Sequence, residues 1–283
     1  MNILSIQSSV AYGHVGNSAA VFPLQRMGFE VWPVNTVHFS NHTGYGEWRG
    51  PVLPAEDVAG VIRGIEDRGV LPSCDAVLSG YMGDASLGGI IVGAAGRVKE
   101  MNPDAVYCCD PVMGDEGRGF FVRPGIPEFV KDVAVPAADV ITPNQFELEF
   151  LTGSTVRDLA DALQASDKAR RLGPSTVLTT SLRRADAPTN TIEMLAVSDD
   201  GAWLVETPLL PLEVNGAGDA TAAVFLAHLM RGGTPDQALA MTASAIHAVL
   251  DETHRTRSRE IRLVSAQDAF ENPPQRFEPL KVR

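Results

Sequence analysis

The sequence predicts an α/β protein built on a doubly wound, mostly parallel central sheet with helices on both faces. Three observations carry this. Short apolar runs alternate with helix-patterned segments almost throughout, the pattern of strand–helix units in a parallel sheet. The chain has 283 residues, 45% hydrophobic and 20% charged, which suits one large globular domain or two small ones. Finally, Leu212-Glu213-Val214-Asn215-Gly216-Ala217-Gly218-Asp219 turns on two glycines and opens a helix-forming run with almost no charge. No linker divides the chain, so residues 1–283 read as a single domain.

The elements follow in order. Asn2–Ile6 is an apolar first strand; it lacks a basic leading stretch, so it does not read as a secretory signal. Gly16–Met27 is helix-patterned, and Pro23 predicts a kink or a late start there. Strands at Glu30–Thr36, Asp75–Ser79 and Ala105–Cys109 alternate with helices at Ala55–Asp67, Ser86–Met101 and Gly125–Val133. The adjacent Cys108 and Cys109 point to opposite faces of their strand and read as buried filler. Strand Asp139–Thr142, helices Asn144–Leu151 and Val156–Leu172, and strand Thr176–Thr179 continue the alternation. Ile192–Ser198 and Ala202–Glu206, joined by Asp199-Asp200-Gly201, form an antiparallel hairpin. Helices Ala217–Met230 and Pro235–Asp251 follow, the latter with Thr234 as cap and proline at its first position. The tail from Asn272, with Pro273, Pro274 and Pro279, reads as a surface extension.

Composition excludes some partners. Lys and Arg total 23 against 35 Asp and Glu, a net charge of −12. Nucleic acid is disfavoured, because no basic excess exists to displace counterions. No stretch approaches the roughly 18 apolar residues that span a membrane. Three cysteines suit a reducing cytoplasm rather than a disulfide framework.

Candidate chemistry gathers where strands end, since ligands of open parallel sheets bind beyond the carboxyl ends. Gly216 and Gly218 let the backbone bend and approach a ligand, and the following helix aims its free N–H groups at the turn. Asp219 is either a first-turn carboxylate or a general base beside a phosphate; a glycine turn alone favours the former. Ser8, just past the first strand, is open equally to ligand contact and helix capping. Segment Asn35–Gly46 holds His38 and His42, but its Asn, Ser and Gly residues argue against a helical metal pair and for a substrate-lining loop. Tyr81 could stack on a ring or stand on a rim. Asp110, directly after a buried strand, needs a partner or a cation, and Asp115 is a second such acid. Gly114, Gly117 and Gly119 suggest a mobile lid. Glu147, at a helix start, could hold metal waters or simply stabilise that helix. Thr179-Thr180-Ser181 closes another strand with three hydroxyls.

Taken together, Gln7-Ser8, Gly13-His14-Val15-Gly16-Asn17, Phe39-Ser40-Asn41-His42-Thr43-Gly44-Tyr45, Gly80-Tyr81, Cys109–Asp115, Thr142-Pro143-Asn144-Gln145-Phe146-Glu147 and Gly216-Ala217-Gly218-Asp219 resemble the pyridoxal kinases of the ribokinase superfamily. The resemblance covers nearly the whole chain. Phe39–Thr43 is its most specific piece. Asp110-Pro111-Val112-Met113 and Gly216–Asp219 are shared with hydroxymethylpyrimidine kinases and support only the superfamily.

The resemblance implies a ribokinase-like sheet without a separate lid domain, and usually a homodimer. It implies ATP with Mg²⁺, often with K⁺ or Na⁺. By position, Asp219 is the base that takes a proton from the 5′-hydroxymethyl group of pyridoxal, with Gly216, Ala217 and Gly218 as anion hole. Ser8, Thr43, Gly44 and Tyr81 line the pyridoxal pocket. Asp110, Thr142, Asn144, Glu147, Thr179 and Thr180 lie along the nucleotide, Asp110 and Glu147 also serving the metal, directly or through water. Leu209 and Leu210 edge the adenine. Some bacterial members carry Lys where this chain has Thr180, so this chain must neutralise the phosphates otherwise. The sequence has no GxxxxGK[ST] pattern, which excludes a P-loop kinase. A kinase for hydroxymethylpyrimidine or a sugar, and a non-catalytic pyridoxal carrier, are the competing readings; a carrier has no need of the intact turn with Asp110 and Glu147.

Overall fold

The central sheet has nine strands in the order β11-β10-β9-β8-β7-β4-β3-β1-β2, in a computed structural model describing residues 1–283. In chain order the strands are β1 (Asn2–Val10), β2 (Glu30–Phe39), β3 (Cys74–Ser79), β4 (Val106–Cys109), β7 (Val140–Ile141), β8 (Thr176–Leu182), β9 (Thr191–Ser198), β10 (Gly201–Pro208) and β11 (Leu280–Lys281). A separate hairpin pairs β5 (Gly114–Asp115) with β6 (Gly119–Phe120). Strands β2, β1, β3, β4, β7 and β8 run parallel, so their carboxyl ends share one edge; β9, β10 and β11 continue antiparallel. The chain order reverses at β1 and β3, the switch point at which such sheets open a crevice.

Helices α1 (Asn17–Arg26), α8 (Ala217–Met230) and α9 (Pro235–Arg255) cover one face. Helices α2 (Ala55–Glu66), α3 (Gly88–Met101), α6 (Gln145–Thr152) and α7 (Leu159–Arg170) cover the other, with α4 (Ile126–Phe129) and α5 (Val135–Ala137). The strand period of two sends neighbours into different cores. Ile3 and Cys108 enter the α1/α8/α9 core, while Leu4 and Cys109 enter the opposite one. Helix α8 is apolar all round because α1 and α9 flank it: Ala220 through Ala227 are all buried.

Several boundaries differ from the sequence reading. Strands β1 and β2 run on to Val10 and Phe39, because their ends bury an apolar cluster of their own. Helix α1 starts at Asn17 with Pro23 buried inside it, so there is no late start. The expected helix at Gly125–Val133 is α4, a π-helical turn at Val130–Ala134, and α5; Val135 N–H reaches back to Val130 O just before Pro136, which has no N–H to give. The tail is docked rather than a mere surface extension. Leu280 and Lys281 pair with Leu204 and Trp203, Phe277 packs on the core, and Arg283 forms an ion pair with Asp167.

Candidate active site

At the carboxyl edge lies a cavity of about 820 Å³, within the size range of small-ligand sites. Its β1–β3 end has an apolar wall of Val10, Val15, Val37 and Phe39, against which Tyr81 packs. Ser8 is buried within β1 rather than in the loop beyond it. It faces Gly16, where a Cβ would come within 2.3 Å of the Ser8 hydroxyl. Thr43–Tyr45 forms a single 3₁₀ turn, and His42 Nδ1 accepts the Gly44 N–H at 3.0 Å. Burial and then the Arg118 charge lower the His42 pKa, which keeps the ring neutral and able to accept. Ser8, Thr43, Gly44 and Tyr81 all line the cavity.

Three acids face the middle. Asp110 follows β4, is buried, and accepts the Thr142 hydroxyl at 2.9 Å on Oδ1. Glu147 completes a capping box with Asn144, and Oε1 also accepts Met113 N–H at 2.8 Å. Capping is therefore what this carboxylate does in the fold, tying α6 to the loop after β4. Asp219 occupies the first turn of α8. Burial, then the charges of Glu147 and Asp219, raises the Asp110 pKa well above the carboxylate range. Burial raises Glu147 to about 8 and Asp219 to about 6; the Gly16 N–H and its own N–H partly offset the latter. Such a cluster favours an incoming cation. Its oxygen-only donors fit a hard ion such as Mg²⁺. No three His, Cys, Asp or Glu side chains stand close enough to enclose an ion unaided.

The turn before α8 is shaped by contact and by space. Gly216 has φ +89°, and a Cβ there would lie 1.7 Å from the His14 carbonyl oxygen. A Cβ at Gly218 would meet no protein atom within 4 Å, which leaves that backbone open to a ligand. The N-terminus of α8, a 14-residue helix, aims at the same space.

At the far end, β8 is irregular between Thr179 and Leu182, and Ser181 has φ +52°. This turns Thr180 and Ser181 into the cavity beside Asn144. Thr179 points the other way, its hydroxyl 3.3 Å from that of Ser166 on α7, because neighbours in a strand alternate faces. Leu209 and Leu210 also lie outside the lining. Leu209 N–H is held by Asn190 O at 2.8 Å, and Ile192 and Val214 form the wall instead. Of the expected nucleotide contacts, the Thr179 side chain thus turns away from the cavity, and Leu209 and Leu210 stand outside its lining.

The glycine-rich segment after Met113 is the β5–β6 hairpin. Phe120 packs edge-on against Phe146 and Phe150, with centroids 5.1 and 5.0 Å away. Arg118 pairs with Asp115 and lies 5.4 Å from the Phe121 ring. Arg118, Phe121, Phe146 and Arg183 all line the cavity, and the sequence reading missed them. The spacing of Phe146 and Phe150 on one helix face was the available signal.

A pyridoxal kinase PdxY of Rubrobacter xylanophilus is 69% identical over 283 residues, covering 100% of this chain and 98% of that protein. The chain belongs to the pyridoxal kinase family. Another family member, the pyridoxal kinase PdxY of Deinococcus radiodurans, is 58% identical over 287 residues, with 99% of this chain and 96% of that one covered. The model of the phosphomethylpyrimidine kinase family matches residues 73–262. Among solved structures, the pyridoxal kinase of Leishmania donovani in complex with ADP and ginkgotoxin superposes with TM-score 0.92 at 32% identity over 99% of both chains. The same enzyme is also solved with ADP and pyridoxamine, and with ADP and pyridoxine. A pyridoxal kinase fold thus matches the sheet described above along its whole length.

Proposed function

We propose that this chain, acting as one domain, transfers the γ-phosphoryl group of ATP to the 5′-hydroxymethyl group of pyridoxal. The single observation that carries the reading is Asp219. It combines a carboxylate raised to about 6 with a glycine turn whose Gly218 backbone is open to the cavity. A base poised near working pH beside an anion-binding turn is what phosphoryl transfer to a hydroxyl requires.

Each residue then has a task. Tyr81 and the Val37/Phe39 wall hold the flat pyridine face, while Ser8 and Thr43 offer hydroxyls to its polar edge. Asp219 accepts the hydroxymethyl proton. The N–H groups of Gly216 to Gly218 meet charge developing on the transferred oxygens. Thr142, Asn144 and Thr180 line the nucleotide end. Asp110 and Glu147 would hold Mg²⁺ through oxygen and water; when bound, the ion supplies charge neutralisation. Acids Asp110, Asp115, Glu116, Glu147 and Asp219 line the cavity against Arg118 and Arg183. With Thr180 in place of a lysine, those two arginines are the cations available to the phosphates. The β5–β6 hairpin excludes water and restrains ATP hydrolysis. K⁺ or Na⁺ dependence, a homodimer and a cytoplasmic setting belong to the same proposal.

The match to the phosphomethylpyrimidine kinase model favours one second reading, a hydroxymethylpyrimidine substrate. A coupled ADP-release assay with pyridoxal, pyridoxine, pyridoxamine and hydroxymethylpyrimidine tests both. Pyridoxal should give the highest kcat/KM; turnover of hydroxymethylpyrimidine alone would replace the first reading with the second.

A further inference from the structure

Glu260 lies outside every motif considered so far, on the segment that follows α9. Its two carboxylate oxygens hold two different loops beside the site. Oε1 accepts the Tyr45 hydroxyl at 2.6 Å, and Oε2 accepts the His14 backbone N–H at 3.1 Å. The fit is close: a Cβ on Gly13 would fall 2.2 Å from Oε2. The next link is the backbone itself. The His14 carbonyl oxygen fills the space where Gly216 would carry a Cβ, and the Ile261 side chain lies 3.2 Å from the same point. On the other side, a Cβ on Gly44 would be 3.5 Å from the Asn215 amide nitrogen. Tyr45 is held from two further directions. The Arg259 guanidinium lies 4.5 Å from its ring centroid, and Tyr12 stands edge-on at 6.2 Å.

Three distant segments therefore meet on the residues flanking Asp219. The Thr43–Tyr45 loop reaches Gly216 through Glu260 and the His14 peptide, with no gap in the chain of contacts. We propose that Glu260 is a positioning residue that couples the Thr43–Tyr45 loop to the Gly216 turn, so that a substrate seated on the loop sets the phosphoryl-binding amides. This rests on the reading of those two segments given under the proposed function. Tyr45 is half-buried, so its bond to Glu260 competes with water until substrate covers the loop. Water exclusion then strengthens the bond and fixes the His14 peptide against the turn. The device favours transfer to the vitamin over transfer to water.

The test uses the full chain as wild type, Tyr45→Phe, Glu260→Gln, Glu260→Ala and the Tyr45→Phe/Glu260→Ala double variant. Measured are kcat and KM for pyridoxal, ADP released per pyridoxal phosphorylated, and Tm. Glu260→Ala should lower kcat about tenfold or more, the scale of a lost charge-assisted hydrogen bond, and raise ADP released per product. The double variant should be no worse than Glu260→Ala. Glu260→Gln can still accept from His14 and donate to the Tyr45 oxygen, so it should stay within about threefold of wild-type kcat. Tyr45→Phe alone must also raise ADP per product, which keeps the test decisive if Glu260→Ala does not fold. Additive losses in the double variant, or a changed Tm with unchanged kcat and ADP ratio, would overturn the coupling. Asp219→Asn serves as control: full turnover in that variant removes the underlying reading of the site, whatever Glu260 does.

Discussion

Asp219 should be a residue whose removal disables the enzyme and stabilises the fold. Burial raises its pKa from an ordinary 3.8 to about 6. The sign follows from proton binding. Between those two values the folded state holds a proton that the unfolded state has lost, so stability falls as pH rises through the interval. Each pH unit of the interval is worth about 1.4 kcal/mol, so the ionised carboxylate costs the fold at most roughly 3 kcal/mol at neutral pH, reduced where water in the cavity reaches this half-buried side chain. Asp219→Asn removes that cost with a nearly isosteric amide. Urea unfolding at pH 7.5 should show the Asn variant more stable by about 1–3 kcal/mol, a gap that closes toward about pH 4. In the same variant kcat should drop roughly 10²-fold or more, the scale of lost general-base catalysis, while ATP binding persists. Wild-type kcat/KM should fall as pH drops through about 6, where the base takes up its proton. A stability difference independent of pH, or turnover within about threefold of wild type, would refute the reasoning for Asp219 as a half-buried base.

Other substitutions probe the remaining parts. Thr43→Ala should weaken pyridoxal by about tenfold with ATP affinity nearly unchanged, as separate titrations of the two ligands would show; equal loss for both would mean a folding defect. Glu147→Gln cannot satisfy all of its backbone donors, so it should cost about 1–3 kcal/mol of stability and raise the Mg²⁺ concentration needed for activity; an unmoved Mg²⁺ curve would confine Glu147 to capping. Arg118→Ala should raise the KM for ATP and leave that for pyridoxal nearly unchanged in steady-state kinetics. Deleting residues 280–283 removes β11 and the Arg283–Asp167 pair, and should lower Tm by a few degrees, on the scale of about 1 kcal/mol, with kcat retained.

What the sequence disclosed divides by range of interaction. The alternating strands were legible because burial on both faces writes continuous apolar runs, and the Gly216–Asp219 turn because its geometry demands glycine locally. Ser8, Thr43 and Tyr81 could be assigned to one pocket because strand ends share an edge. Thr179 was misplaced since adjacent hydroxyls on a strand look alike until the register says which one faces the cavity. The place of Leu209 and Leu210 outside the cavity lining was hidden for a similar reason: the hydrogen bond of Leu209 to Asn190 has no local signature. The tail looked detachable because its prolines are visible in the sequence while its pairing partners, Trp203 and Leu204, are far away. Glu260 was invisible altogether, being 246 residues from His14 and 215 from Tyr45.

The all-round burial of α8 also sets how the site can breathe. The turn at Gly216–Asp219 opens on the cavity but is continuous with a helix enclosed by α1 and α9, whose amides from Ala220 on have no route to solvent that leaves the core intact. The β5–β6 hairpin is anchored at its base by Gly114, bonded to Glu147 and Asn144; beyond that it rests on the edges of Phe146 and Phe150, its Arg118–Asp115 pair lying within the hairpin itself. Hydrogen exchange should therefore separate the two walls of one cavity by kinetics. Ala220 to Ala227 should exchange only through global unfolding, whereas Gly114 to Phe120 should exchange through local opening. The glycine turn is thus as permanent as the domain, while the hairpin that covers the cavity opens on its own clock.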